Sequence, residues 1–423
     1  MTRPRAAIVV TGSELVRGER DDRNGPFYAR EALSLGLTPE RIVIVGDDPL
    51  DLEAALRAGS EADVCLVSGG LGPTHDDRTV ELVARVAGAT LRVDSELETK
   101  IEAVSRSVAE RLGRPYADFA AGVTKQATIP DGADVIGVAG TAPGLVVPAN
   151  GCVFVVLPGP PGELRRLWPA AVASTPMQAV LASTRPPGRR VLRFFGASES
   201  AVAQALAEAG GDGEGVEATI CARDFEIHVD LVVELGADRR GDELAAALRD
   251  PLERYLFSED ERSIAEIVLE LCRASGLTLA TAESCTGGMV AARLTDVPGS
   301  SDVVRGGIVA YANEVKIAEL GVPEDVLVEH GAVSAEVAAA MAAGVRERLG
   351  TDVGIAVTGV AGPGGGSEAK PVGLVHSHVS APGVEKGREF SLPADRATIR
   401  ARATVAALHL VRAVLTRSRH QDE

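Results

Sequence analysis

Short aliphatic and β-branched runs alternate with amphipathic stretches through the first 170 residues. Residues 6–10, 41–45 and 63–68 read as buried strands, with helices at 26–35, 50–58 and 78–86 between them. Such alternation predicts a parallel sheet covered by helices on both faces. Ligands in that architecture gather at the carboxyl ends of the strands, which directs attention to the turns after Val10, Val45 and Ser68. From about Pro186 the rhythm becomes strand, helix, strand, strand, helix. Residues 225–235 alternate strictly: Phe225, Ile227, Val229, Leu231, Val233 and Leu235 fall on one face, with Glu226, His228, Asp230 and Glu234 on the other. That period predicts a half-buried antiparallel strand. After the acidic connector at 258–261, strands are expected at 277–282, 303–311, 353–358 and 372–379, with a closing helix over 395–415. The fold class is therefore α/β in three domains, with an α+β segment in the middle.

Length agrees, since single cores rarely grow past roughly 250 to 300 residues and the chain has 423. A hydrophobic content of 45% with 24% charged residues describes an ordinary globular chain. The 43 basic and 60 acidic residues give a net charge of −17, which opposes nonspecific binding to nucleic acid or an anionic membrane. No run approaches the roughly 20 apolar residues that span a bilayer, and the start of the chain lacks the pattern of a signal peptide. The five cysteines are scattered without C-x-x-C spacing, as expected in a reducing cytoplasm.

Chemistry concentrates after the strand at 277–282. Ala282-Glu283-Ser284-Cys285-Thr286-Gly287-Gly288 places a hydroxyl and a thiol at a strand-to-helix turn, where the glycines allow close approach to the backbone. Ser284 is there either a helix cap or a nucleophile, and Cys285 is either a rival nucleophile or a small buried hydrophobe. Tyr311 ends the next apolar run, Asn313 is a candidate N-cap, and Lys316 falls in the first turn of the helix that follows. The positive end of the helix dipole and partial burial both favour a neutral amine at Lys316, able to take a proton from Tyr311 or directly from Ser284. A second loop, Thr358-Gly359-Val360-Ala361-Gly362-Pro363-Gly364-Gly365-Gly366, can turn amides toward a phosphate or an oxyanion, with Lys370 nearby. Gly-Lys-Ser/Thr is absent, so it is not a Walker A loop. In the first segment, Gly69-Gly70-Leu71-Gly72-Pro73-Thr74-His75-Asp76-Asp77 follows a strand. The paired aspartates either cap a helix or hold a hard divalent cation against a diphosphate.

Taken in order, the heptapeptide, Pro298-Gly299-Ser300-Ser301, Tyr311-Ala312-Asn313-Glu314-Val315-Lys316, His330-Gly331-Ala332-Val333-Ser334, the 358–366 loop and Lys370-Pro371-Val372-Gly373 resemble the C-terminal domain of the competence/damage-inducible protein CinA family over about 259–417. Ala312 and Ala369 depart from its more frequent serine and glutamate. The glycine loop at 69–77, with Thr11-Gly12-Ser13-Glu14-Leu15, Asp22-Arg23-Asn24, Gly140-Thr141-Ala142-Pro143-Gly144 and Leu157-Pro158-Gly159-Pro160-Pro161-Gly162-Glu163, resembles the molybdopterin-binding, MoaB/MogA-like domain of long CinA proteins. Val16, Arg17 and Arg23 differ from its usual residues. The middle segment resembles the family's KH-like insertion. Its one G-x-x-G spacing, at 210–213, carries Asp212, and the segment holds nine arginines, no lysine and fourteen acidic residues, which suits a spacer or dimerisation module rather than an RNA binder.

The resemblance implies domains at 1–170, 171–258 and 259–423. It also implies hydrolysis of nicotinamide mononucleotide to nicotinate mononucleotide and ammonia without a cofactor. Ser284 is then the nucleophile, with Tyr311 and Lys316 as its activating partners. Substrate contacts fall to Glu283, Cys285, Thr286, Gly287, Gly288, Asn313, Thr358, Gly359, Gly362 and Gly364, with Arg396 and Arg400 as candidate phosphate ligands. For the first domain the resemblance implies an ADP-ribose pyrophosphatase dependent on Mg²⁺, Mn²⁺ or Co²⁺. Its nucleotide site comprises Glu14, Asn24, Gly69, Gly70, Gly72, Thr74 and Asp77, with Asp76 and Asp77 at the metal. A homodimer acting on small molecules is expected, bound to neither nucleic acid nor membrane. Two other readings are a molybdopterin- or nucleotide-binding protein with an inactive C-terminal site, and a competence or DNA-damage factor.

Overall fold

The computed structural model describes residues 3–182 and 184–419, so the extreme ends of the sequence-defined ranges lie outside the described residues. The chain divides into two compact units, Met1–Pro187 and Gly188–Glu423. The first begins with β1 (Arg5–Thr11), α1 (Ser13–Val16), α2 (Asn24–Ser34), β2 (Thr38–Val45), α3 (Pro49–Gly59), β3 (Val64–Ser68) and α4 (Thr79–Ala87). It continues with β4 (Leu91–Val93), α5 (Ser95–Leu112), α6 (Ala117–Gln126) and β5 (Thr128–Pro130). The strands β6 (Asp134–Ala139), β7 (Ala142–Ala149) and β8 (Cys152–Leu157) then lead to α7 (Pro161–Ala173) and α8 (Thr175–Leu181).

Its main sheet has the order β2-β1-β3-β8-β7-β6. The strands β1, β3 and β8 are nearly continuous apolar runs because both faces are covered, one by the cluster around Leu56, Leu82 and Phe154, the other by that around Tyr28, Leu164 and Trp168. The sheet is not wholly parallel as the alternation predicts. Residues 134–157 fold as two consecutive hairpins, so β7 runs antiparallel to both β6 and β8. Residues 171–187, grouped by sequence with the middle segment, pack in this first unit, where Met177 is fully buried.

The second unit opens with β9 (Gly188–Phe194), α9 (Glu199–Glu208), β10 (Val216–Arg223), β11 (Glu226–Val233), α10 (Asp238–Leu252) and β12 (Leu256–Ser258), whose antiparallel sheet has the order β10-β11-β9-β12. The strict alternation at 225–235 holds only in its centre. Phe225 and Leu235 lie beyond the strand and are exposed, while Glu226, expected on the solvent face, is 7% exposed. Next come α11 (Ile264–Ala274), β13 (Leu279–Glu283), α12 (Met289–Thr295), β14 (Val304–Val309), α13 (Asn313–Leu320), α14 (Glu324–His330) and α15 (Ala335–Leu349). The last elements are β15 (Val353–Gly359), β16 (Leu374–Ala381), β17 (Val384–Ser391) and α16 (Arg396–Arg419).

Their sheet, β14-β13-β15-β16-β17, is parallel through β14, β13 and β15 and antiparallel beyond. One face packs on α11 and α16 through Val268, Leu408 and Val411; the other packs on α13 and α15 through Leu320, Met341 and Val345. Ser263 and Glu266 form a capping box at α11, which fixes where the helix starts after the acidic connector. Among the described residues no helix is long and apolar enough to cross a membrane.

Candidate functional site

Ser284 stands directly beyond β13, where its amide donates to the Val357 carbonyl of β15 at 2.9 Å. The chain must then reverse into α12, and it does so through Gly287 and Gly288 at φ values of 61° and 97°, a region that penalises side chains. The buried Glu283 carboxylate fastens this turn from behind. It accepts from the amides of Gly288, Val290 and Ala291 at 2.9–3.0 Å and from the Thr281 hydroxyl at 3.2 Å. An internal carboxylate therefore takes the amides at the start of α12, so Glu283 is a structural anion and not a substrate contact. The Gly287 amide is also engaged, by the Ser284 carbonyl. Gly287 and Gly288, expected among the substrate contacts, thus have their amides engaged within the turn. Among the described residues no backbone carbonyl accepts from the amides of Cys285 and Thr286, and the buried Thr286 hydroxyl has no hydrogen-bond partner.

Lys316 reaches this turn from α13. Its side chain is 1% exposed, and Nζ lies 3.2 Å from Ser284 Oγ while donating to the carbonyls of Ala310 at 2.8 Å and Tyr311 at 3.1 Å. Burial pushes the amine below the ordinary lysine value, against the opposing pull of Cys285 and Glu314. A neutral amine has two N–H bonds and one lone pair. With the N–H bonds on the two carbonyls, the lone pair is left for the Ser284 hydroxyl. The helix starts at Asn313 with Ala312 at the cap position and no side-chain cap, so Asn313 is an exposed first-turn residue and not the N-cap that the sequence suggests.

Tyr311 belongs to this arrangement by its backbone. Its ring is 60% exposed, and its hydroxyl accepts from Arg396 at 2.9 Å. The structure brings Ser284 and Lys316 together and sets the Tyr311 phenol against an arginine. Arg396 also donates to the Gly362 carbonyl at 2.6 Å, joining Tyr311 to the second glycine loop. Arg400, one turn further along α16, donates to the carbonyls of Cys285 at 3.0 Å and Thr286 at 2.8 Å. Both arginines therefore lie against the nucleophile turn and the loop instead of standing free in solvent.

The Cys285 thiol is buried, which pushes its pKa up to about 11 and leaves it less reactive than an exposed thiol. Thr358 is fully buried and donates to the Ala332 carbonyl at 2.7 Å. Gly359 ends β15 close to β16, where an added Cβ would fall 2.8 Å from the Leu374 carbonyl oxygen; Gly364 faces open space.

In the first unit, the three turns that the sequence singles out line one cavity of about 880 Å³: Thr11, Gly12 and Glu14 after β1, Asp47 after β2, and Gly69, Gly70 and Gly72 after β3. Asn24 and Asp77 line it too. Asn24 also ties the walls together, its amide donating to Ser68 Oγ at 2.8 Å and the Gly159 carbonyl at 2.7 Å. Thr74 is exposed and outside the lining, and its amide donates to the Asp77 carboxylate at 3.0 Å. Asp76 is exposed and likewise outside, so the two adjacent aspartates do not face the cavity together.

The sequence reading assigned none of Asp21, Asp22, Asp47 and Glu163 to the site, although Asp22 and Glu163 stand in the motifs that carry the resemblance. Asp47 was the accessible one, since it follows β2 at a turn already marked. Its carboxylate is held by the Ser13 hydroxyl at 2.6 Å and the Thr11 hydroxyl at 3.2 Å. Six carboxylates line this cavity against two arginines, Arg20 and Arg23. A diphosphate entering alone would be repelled, and a set of hard carboxylate oxygens is of the kind that suits a hard cation. Among the described residues no group of three acidic, histidine or cysteine side chains forms a ready-made metal cage.

Comparison with known proteins follows the same division. Residues 261–415 match the CinA C-terminal domain family, and residues 7–176 match the probable molybdopterin binding domain family. A CinA-like protein of Mycolicibacterium gilvum is 46% identical over 419 residues, covering 97% of this chain and 99% of its own. A CinA-like protein of Mycobacterium tuberculosis is 44% identical over 425 residues, 97% of each chain. The crystal structure of the competence/damage inducible protein CihA from Agrobacterium tumefaciens is 39% identical, with a TM-score of 0.35, covering 38% of this chain and 99% of that one. With identity of this order sustained over nearly the whole length of both chains, the protein belongs to the CinA-like family.

Proposed function

We propose that the C-terminal site hydrolyses the carboxamide of nicotinamide mononucleotide to the carboxylate and ammonia. One observation carries the reading: a buried lysine with a depressed pKa holds its Nζ 3.2 Å from a serine hydroxyl at a strand-to-helix turn. Lys316 takes the Ser284 proton as Oγ attacks the carboxamide carbon. The amides of Cys285 and Thr286, which face the Cys285 sulfur and meet no backbone carbonyl among the described residues, would turn to the oxyanion. The C–N bond then breaks, and the leaving nitrogen takes the proton from Lys316 and departs as ammonia. Water, deprotonated by Lys316, attacks the ester, and the proton returns to Ser284 Oγ as the acid is released. Arg396 and Arg400 supply positive charge at the mouth for the substrate phosphate. Tyr311 steadies Lys316 through its carbonyl and Arg396 through its phenol.

The assay is ammonia release from nicotinamide mononucleotide by the purified chain and by its Ser284→Ala variant. Release by wild type alone supports the reading, and equal release by both overturns it.

For the first unit, the acidic cavity and its glycine loop favour metal-dependent cleavage of a nucleoside diphosphate sugar such as ADP-ribose. Asp77 would hold the divalent cation, which supplies charge neutralisation of the diphosphate. The loop amides at 70–72 would orient the phosphates, since that of Gly69 already donates to the Leu157 carbonyl at 3.1 Å. Product formation from ADP-ribose with Mg²⁺, Mn²⁺ or Co²⁺ tests this. Tight molybdopterin binding without turnover would replace it with a binding role.

A further inference from the structure

The antiparallel sheet that precedes the serine–lysine site meets it through one hairpin tip. The strands β10 and β11 are joined by Asp224 and Phe225, with Arg223 paired to Glu226. Both joining residues have positive φ, 51° and 69°. A two-residue turn of that kind ordinarily takes Asn-Gly or Asp-Gly, so a phenylalanine at its second position is strained and has to be held by its surroundings.

Those surroundings are the two helices that frame the candidate nucleophile. Asp224 lies 3.4 Å from Arg293 of α12, the helix that starts from the Ser284 turn. The Phe225 ring lies under Arg402 of α16 and packs edge-on against Phe195. The buried Glu226 carboxylate accepts from His409 of α16 at 2.7 Å, and the His409 ring stacks on Phe195 with centroids 3.8 Å apart and planes 8° from parallel. Along the same helix, nine residues or about 14 Å toward its start, Arg400 and then Arg396 grip the carbonyls of Cys285, Thr286 and Gly362.

We propose that the 224–226 hairpin tip is a positioning element for the serine–lysine site, with Glu226 seating α16 so that Arg400 and Arg396 hold the nucleophile turn in register. None of the three tip residues reaches the reacting atoms. They act through α12 and α16, whose displacement by about 1 Å is enough to cost a reaction of this kind up to 10²-fold.

The inference rests on the Ser284–Lys316 reading but not on the identity of the substrate, and the test separates the two. A fluorophosphonate probe labels an activated serine: the Oγ–P bond forms, fluoride leaves, and the serine proton passes to Lys316. The full chain is labelled at Ser284 and assayed in parallel for ammonia from nicotinamide mononucleotide. Glu226→Ala is expected to slow labelling about tenfold, and Glu226→Gln to recover most of that rate, because its amide oxygen still accepts from His409. Asp224→Arg and Arg293→Asp each slow labelling about threefold, and the double exchange restores it. If Glu226→Ala does not fold, the exposed 224–293 exchange decides. Folded variants that label at the wild-type rate overturn the proposal, as does a wild type that never labels. Labelling without ammonia release removes the substrate assignment alone.

Discussion

The two candidate sites reach their chemistry by opposite routes. The C-terminal site is buried and already assembled: an amine, a serine, two supporting carbonyls and a carboxylate locked under the turn. The N-terminal cavity is wide and lined with carboxylates, several of them engaged by neighbouring hydroxyls and amides, and under the proposed reading it takes a cation together with a phosphate. In the first case burial creates the reactive form, because desolvation disfavours the ammonium. In the second, six carboxylates against two arginines leave an excess of negative charge that a cation would have to offset before a diphosphate could enter.

The largest expected effect separates the sites outright. Ser284→Ala or Lys316→Ala should lower ammonia release by at least about 10³-fold while leaving ADP-ribose hydrolysis unchanged. Loss of both activities in either variant would break the independence of the two units. Conversely, Asp77→Asn should cost metal-dependent ADP-ribose hydrolysis about 10²-fold and leave deamidation intact. Asp76→Asn, outside the cavity lining, should cost far less, and equal losses would restore the adjacent pair as joint ligands.

A pH series sharpens the claim that burial makes the base. Because Lys316 titrates below the ordinary lysine value of 10.5, kcat/KM for deamidation should fall as pH drops through that lowered value and the amine becomes protonated. It should reach its plateau before 10.5, and a limb at the ordinary value would mean that the amine is not held neutral.

Glu283→Ala removes the acceptor of three amides and should lower unfolding stability by about 2–4 kcal/mol. Denaturant melts measure this, and a neutral result would mean that water serves the turn equally well. The smallest effect is expected at the neighbouring thiol. With its pKa pushed up to about 11, Cys285→Ala should change ammonia release by less than about threefold.

Much of this was legible in the linear pattern. The strands β1, β2 and β3 of the first sheet and β13, β14, β15 and β16 of the last follow from apolar runs, although β2, read as buried, exposes Ile42 and Ile44, and the turns after Val10, Val45 and Ser68 were marked by position alone. The hairpins of residues 134–157 were not, because alternating βα segments look parallel until strand pairing is known. The edge strand β17 was equally hidden, since Val384-Glu385-Lys386-Gly387-Arg388-Glu389 is largely polar and has only one paired neighbour. Ser284 and Lys316 were readable as residue types beside predicted turns. Glu283 read as a substrate contact because nothing in the sequence shows which way a strand-end carboxylate faces.

By itself, then, the sequence determined the α/β class, the net acidic charge and several of the residues that meet in each candidate site, since periodicity, composition and turn chemistry are local properties. Tertiary structure alone decided what those residues do to one another. Burial lowered the Lys316 pKa, Glu283 occupied the amides of its own turn, Arg396 captured the Tyr311 phenol, and Glu226 moved from an expected solvent face into the contact with α16. Each outcome depends on desolvation or on a partner far away in the chain, and neither is encoded in residue order until the sheets have formed.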